Sequence, residues 1–244
     1  MTENRAGTDE YDGDTTSAAG GEQPSGFVGP VWRSFRDRAG RIRSFPRLVR
    51  EKTTYKLFVL MVAVYFAQAT ITVLWSPRAT EALFLLSESH RWRLWTWLTH
   101  VFAHGNALHL GVNMIVLLSF GSIVENRLGN RRFLGFFLAA GVISGLAQMA
   151  AEILVAASLP GVVGASGALA AIVGFLTMDD PDIRVLMFFL LPVSLWRATA
   201  MFATLTAMAI FVGGAGYFGV AHVAHLSGLC LGVLFGIVRE GRTE

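Results

Sequence analysis

The chain has one cysteine in 244 residues. Cys230 sits inside an apolar run, so neither an intrachain disulfide framework nor a cysteine-based metal site can be built. We read Cys230 as buried. Charge is scarce too. Asp, Glu, Lys and Arg make up 15% of the residues, against about 25% in an ordinary soluble domain. Residues 1–32 lack any apolar core and are rich in Gly, Ser, Thr, Asp and Glu. They read as a disordered tail rather than a cleavable signal peptide, leaving the first apolar segment to target the membrane. What the chain has in abundance is apolar surface. Its residues are 53% hydrophobic, with a mean hydropathy of +0.52. That balance excludes a soluble globular domain and predicts an all-α, multi-pass membrane protein.

Six apolar runs read as transmembrane helices: 57–75, 107–124, 133–152, 164–178, 198–217 and 222–238. They define a membrane domain over 57–238. A seventh run, 183–195, is short and contains Pro192, so it is expected to be interfacial or a connector. Residues 33–56 are crowded with Arg and Lys and read as a cytoplasmic juxtamembrane segment on anionic lipid. Nucleic acid is not expected as a partner, because the rest of the chain is lipid-soluble. Arg127, Arg131 and Arg132 follow the second run, Arg184 and Arg197 the fourth, and Arg239 and Arg242 the last. The loops 153–163 and 218–221 have no Lys or Arg. This alternation predicts cytoplasmic termini, including a short tail at 239–244. The exception is the loop 76–106, with Arg78, Arg91 and Arg93; its tryptophans Trp92, Trp95 and Trp97 suit an interfacial position.

In that topology the even-numbered runs all begin at the outer face. His109, Asn113, Ser166 and His225 then share one depth, within about two helical turns of the surface. Polar residues inside spans are costly and are functional candidates by default. His109 and Asn113 lie on one helix face. Ser166, Ala170 and Gly174 form a stripe of small residues, and His225, Gly228, Gly232 and Gly236 form another. Such stripes let two backbones approach closely. The stretch Gly164-Ala165-Ser166-Gly167 therefore has a packing reading and a chemical one, and close packing would itself bring His225 to Ser166. Serine needs a base to become a nucleophile, and an imidazole can supply it. The Ser166 backbone N–H, His109 and Asn113 are candidate donors to an oxyanion. No carboxylate shares this depth, so a dyad rather than a triad is expected. His100 and His104 are four residues apart, but nothing completes a metal site with them. Glu152, at the outer end of the third run, has no assigned role.

These motifs together resemble the rhomboid family of intramembrane serine proteases. "GASG" at 164–167 is similar to its G-x-S-G, and "AHLSGLCLG" at 224–232 to its A-H-x-x-G-x-x-x-G. "HLGVN" at 109–113 is similar to its H-x-x-x-N, "WRLWTWLTH" at 92–100 to its Trp-Arg loop, and "ENRLG" at 125–129 to its E-x-R. The resemblance implies Ser166 as nucleophile, His225 as base, and His109 with Asn113 in an oxyanion hole. It implies supporting roles for Gly164, Gly167, Gly228 and Gly232, and structural roles for Trp92, Arg93, Glu125 and Arg127. It also implies that His100, Ser144 and Gln148 hold a water for deacylation. The substrates it implies are transmembrane segments of other proteins, cut near the outer face without a cofactor, here at the cell membrane. One departure is Ala170, where the family has an aromatic that stacks on the catalytic histidine. Another is a long loop between the third and fourth runs. The competing readings are a rhomboid-fold binding module without proteolysis, and a transporter using His and Asn as a polar path. No inverted repeat supports the transporter. Nothing in the sequence sets an oligomeric state.

Overall fold

The first transmembrane helix, α1 (Thr53–Leu74), starts at Lys52, whose side chain does not cap it. Its unpaired amides are met from another helix: Glu125 accepts from Thr53 N at 2.5 Å, and from Thr54 N at 3.1 Å and Thr54 Oγ1 at 2.8 Å. A helix leaves its first N–H groups without intrahelical partners, and here a buried carboxylate supplies them. The computed structural model describes residues 45–155, 161–187, 191–213 and 220–241. The expected N-terminal tail and the first half of the basic segment lie outside the described residues, as do residues 242–244 of the expected C-terminal tail. The stretch Phe45–Glu244 is one compact unit.

After α1 the chain turns through Ser76. Its hydroxyl accepts from Ala79 N at 3.2 Å and Pro77 opens α2 (Pro77–Phe84), a standard helix start. A loop with short helical turns at Glu88–His90, Thr96–Thr99 and His100–Phe102 follows. The next long helix, α3 (Ala107–Leu128), is capped by Asn106, whose Oδ1 accepts from His109 N at 2.8 Å. It contains a π turn at Leu117–Gly121, where Gly121 lies close against Thr54 of α1. Gly129, with φ +79°, reverses the chain into α4 (Asn130–Val155).

The helix that carries the quoted serine motif, α5 (Ser166–Asp179), is apolar on every side and is buried among the others. Ala168, Ala171, Ile172, Phe175 and Leu176 are fully enclosed. Beyond it come α6 (Leu195–Gly213) and α7 (His222–Glu240). Helices α5 and α7 meet backbone to backbone. A Cβ at Gly228 would collide with the Gly167 carbonyl, one at Gly232 with the Ala171 carbonyl, and one at Gly174 with the Leu229 carbonyl. At the end of α5 away from Ser166, Arg127 pairs with Asp179 and with Asp180 (3.2 Å), and Arg239 pairs with Asp179 (3.1 Å).

The expectation of an all-α chain needs correction, and the count of spans is coarser than six. Among the described residues five helices, α1, α3, α4, α6 and α7, are long and apolar enough to cross a membrane. The fourth run, counted as a span, forms a helix of 14 residues, short of the roughly 20 that a crossing needs. Its apolar composition instead reflects burial in protein. The run at 183–195 leads from α5 into α6, as a connector does, and its described part is mostly extended. Strand β1 (Arg184–Met187) pairs antiparallel with β2 (Leu191–Ser194), in register Arg184 to Ser194. Among the described residues the class is therefore a mostly helical membrane bundle with one antiparallel pair of strands. The fifth run begins three residues earlier than expected, and its residues 214–217 lie outside the described part. Large apolar side chains such as Phe66, Val73, Leu108, Leu154 and Phe211 are exposed on the long helices, as lipid-facing surfaces are in a multi-pass membrane protein.

Candidate active site

Ser166 is the first residue of α5. The first backbone bond inside that helix end runs from Leu169 N to Ala165 O at 2.9 Å. The amides of Ser166, Gly167 and Ala168 are therefore left without intrahelical carbonyls, at the positive end of the helix dipole. Gly164, two residues earlier, has φ +125°. Any side chain there would also strike the His109 ring, since a Cβ would lie 2.7 Å from its Cε1. Glycine is required on both counts.

His225 sits in the first turn of α7, and its Nε2 lies 2.8 Å from Ser166 Oγ. With the proton on Nδ1, Nε2 accepts the serine hydroxyl. Gly228, one turn on, is what lets α7 come this close: Gly167 of α5 lies directly against it. Ser166 and His225 open onto a cavity of about 630 Å³, together with His109 and Asn113. Leu108, Val112, Val116, Leu169, Val173 and Leu229 form its apolar walls. Among the described residues no Asp or Glu lines it. Asn113 donates through Nδ2 to the His109 carbonyl at 2.9 Å. The arrangement can move a proton from a hydroxyl to an imidazole, and can place helix-end amides near the reacting oxygen.

His100, Ser144 and Gln148 are close by but do not line the cavity. His100 is buried against α4, where a Cβ on Gly145 would overlap its ring, and its Nδ1 donates to Thr96 O at 2.9 Å. Burial holds its pKa below the usual histidine range. Ser144 donates to Ala140 O at 2.6 Å and packs against Gly167. Gln148 Oε1 accepts from Val223 N at 3.0 Å and Ala224 N at 3.3 Å. His104 is buried beside the site, its ring 5.2 Å from that of His109, with its backbone N–H on Gln68 Oε1 at 3.0 Å. Burial, and then the neighbouring His109, push its pKa down to about 4.

The other motif residues do not line the cavity. Arg93 lies over the exposed Trp92 ring, 5.1 Å from its centre. Glu125 and Arg127 do not pair with each other: Glu125 caps α1 and Arg127 ties α3 to α5. Cys230 is exposed, not buried. It lies on the side of α7 away from the glycines that meet α5, where apolar composition reflects lipid rather than protein. One residue was not anticipated. Phe202 of α6 lines the cavity, with its ring 5.9 Å from that of His225. It lies 23 residues from His225 with a connector between them, so no spacing rule links the two.

The profile of the Rhomboid domain matches residues 91–241. The presenilin-associated rhomboid-like protein, mitochondrial, of Mus musculus is 31% identical over 138 residues, covering 57% of this chain and 36% of the relative. Its Homo sapiens counterpart is 30% identical over the same length. The chain thus spans about a third of the length of these mitochondrial relatives. The rhomboid protease GlpG of Salmonella typhi is 26% identical over 227 residues, covering 87% of this chain and 74% of the relative. The profile match takes in every motif on the cavity wall and more than half of the chain, and the chain therefore belongs to the rhomboid family.

Proposed function

We propose that this chain is a serine endopeptidase acting within the membrane on the transmembrane segments of other proteins. The observation that carries this reading is the 2.8 Å contact between Ser166 Oγ and His225 Nε2, on the wall of an otherwise apolar cavity. A relative named as a rhomboid protease supports it.

In the reaction, His225 Nε2 takes the hydroxyl proton as Ser166 Oγ attacks the scissile carbonyl carbon. The negative charge that forms on the carbonyl oxygen is met by the Ser166 backbone N–H, at the start of α5, and by His109 and Asn113. Collapse of this intermediate breaks the C–N bond, and His225 returns its proton to the leaving amine. A water then attacks the acyl-enzyme, again giving up its proton to His225, and Ser166 is released with a new carboxyl terminus on the product. His100, Ser144 and Gln148 act behind the site, on the side where α4 supports α5 and α7. No step needs a metal or a cofactor.

In this reading α5 is the buried sixth helix of the bundle, both termini face the cytoplasm, and the Ser166 end of α5 lies toward the outer face. The membrane is the cell membrane; fractionation of expressing cells tests this against an organellar location such as that in the relatives' name. The alternative, a non-proteolytic binding module, has no use for a serine and a histidine in hydrogen-bond contact.

The test is labelling of the purified protein by a fluorophosphonate probe in detergent. Wild type is expected to label, and Ser166→Ala and His225→Ala are not. A folded wild type that does not label sinks the protease reading, and labelling that survives Ser166→Ala moves the nucleophile elsewhere.

A further inference from the structure

Four residues of α5 lie on the cavity wall: Ser166, Leu169, Ala170 and Val173. Their spacing, i, i+3, i+4 and i+7, is that of one helix face. On α3, His109, Val112, Asn113 and Val116 line the cavity at the same spacing. The two helices run the same way, because their far ends are joined through Arg127 and Asp180 at 3.2 Å. Both faces therefore descend together from the reacting serine, over about 10 Å at a rise of about 1.5 Å per residue. Past the first turn the wall is apolar: Val116, Ala170 and Val173 are joined there by Leu229 of α7.

The depth of this pit depends on Ala170. It stands one turn below Ser166 on the same face, and it is buried in the bundle at 7% exposure. An aromatic at this position, as in the family pattern, would stand across the pit. Alanine leaves it open down to Val173. We propose that Ala170 is a specificity-determining residue, which by staying small admits a large apolar side chain of the substrate, on the acyl side of the cut bond; this rests on the reading of Ser166 as nucleophile. The carbon that Ser166 Oγ attacks carries the acyl-side residue, so that side chain is the substrate group nearest the pit. Among the described residues no Asp, Glu, Lys or Arg lines the cavity, so a charged side chain entering it would be buried unpaired. An apolar one gains with every methylene removed from water. The substrates favoured are transmembrane segments with Leu, Phe or Met at the cut, rather than Ala, Gly or Ser.

The test labels the full-length protein in detergent with fluorophosphonates whose phosphorus carries a methyl or an octyl chain. Ser166 Oγ bonds to phosphorus, fluoride leaves, His225 takes the hydroxyl proton, and the chain stands where the acyl-side residue would. Wild type is compared with Ala170→Phe and with Val116→Phe, which fills the same pit from the facing helix. The reading is the ratio of octyl to methyl labelling rates. Long chains also gather in micelles, but equally for all three proteins, so a change of ratio between proteins reports the pit. Each substitution is expected to lower the ratio by about tenfold or more, the scale of one methylene in an apolar pocket. A mixture of transmembrane peptides, with the cuts located by mass spectrometry, gives a second reading that needs no variant. Wild type is expected to cut after Leu, Phe and Met, and Ala170→Phe to shift the cuts toward Ala and Gly. A wild-type ratio in the folded variants would overturn the proposal, as would wild-type cuts confined to Ala, Gly and Ser. Failure of the methyl probe to label wild type is a separate result: it removes Ser166 as the nucleophile, and this proposal with it.

Discussion

The ring of Phe202 on α6 lies 5.9 Å from that of His225 on α7, tilted by 44°. The family resemblance puts an aromatic at the position of Ala170, on the same helix as the serine. Here Ala170 is buried and small, and a ring reaches His225 from a third helix. Phe202 is itself 39% exposed, so one edge of this contact lies at the boundary with lipid. An aromatic pair of this kind contributes about 0.5–1.5 kcal/mol beyond its buried area. Phe202→Ala is therefore expected to slow fluorophosphonate labelling of Ser166 by about threefold to tenfold, with no loss of folded protein. Adding Ala170→Phe, which supplies a ring from α5, should recover part of the rate. Labelling of Phe202→Ala at the wild-type rate would show that the ring does not orient His225.

The contact between α5 and α7 leaves no space for a methyl group. At Gly232 a Cβ would run into the Ala171 carbonyl and the Phe175 amide, both backbone atoms that cannot swing aside. Gly232→Ala must push the helices apart, at a cost of about 1–3 kcal/mol. It is expected to lower the Tm measured in detergent. It should also lower labelling per folded molecule, because the same separation lengthens the 2.8 Å contact between Ser166 and His225. Gly135 faces open space on α4, so Gly135→Ala serves as the control and should leave both unchanged.

Acid should destabilise the fold through His104. Its pKa is about 4 when folded, against an ordinary value of 6.5. Above pH 6.5 the ring is neutral in both states. As pH falls from 6.5 toward 4 the unfolded chain takes up a proton that the folded one refuses, so stability declines across that window and levels off below it. The decline amounts to as much as about 3 kcal/mol. Replacing the ring with an uncharged one of similar size, His104→Phe, should flatten the fall in Tm between pH 6.5 and 5. An unchanged slope would mean that His104 is readily protonated in the native state.

The features that were legible in the sequence share a reason. His109 with Asn113, and the two stripes on 166–174 and 225–236, are spaced by helical turns, and small residues at such spacing imply close backbones. The proximity of Ser166 and His225 follows from that geometry without any long-range information. What was not legible depends on distance or on surroundings. Phe202 meets His225 across two helices. Cys230 and the residues of α5 are equally apolar, yet one faces lipid and the others face protein, and hydropathy cannot tell these apart. The run 164–178 looked like a span because apolar composition alone carries no length requirement once a helix is enclosed by others. The strands Arg184–Met187 and Leu191–Ser194 have Val185 opposite Val193 and Pro192 in a two-stranded sheet, features that suit a strand but do not exclude a short interfacial segment.

The capping of α1 by Glu125 has a consequence for biogenesis. The acceptor lies 72 residues beyond Thr53, so α1 is synthesised and inserted well before the group that completes its first turn exists. Until α3 arrives beside it, the amides of Thr53 and Thr54 must rely on water or headgroups. Helix α7 stands in the opposite order. Its acceptor, Gln148, is synthesised 75 residues ahead of Val223 and is waiting when the last helix emerges. The start of the bundle is thus finished retroactively, while the helix carrying His225 docks onto a receiver already built.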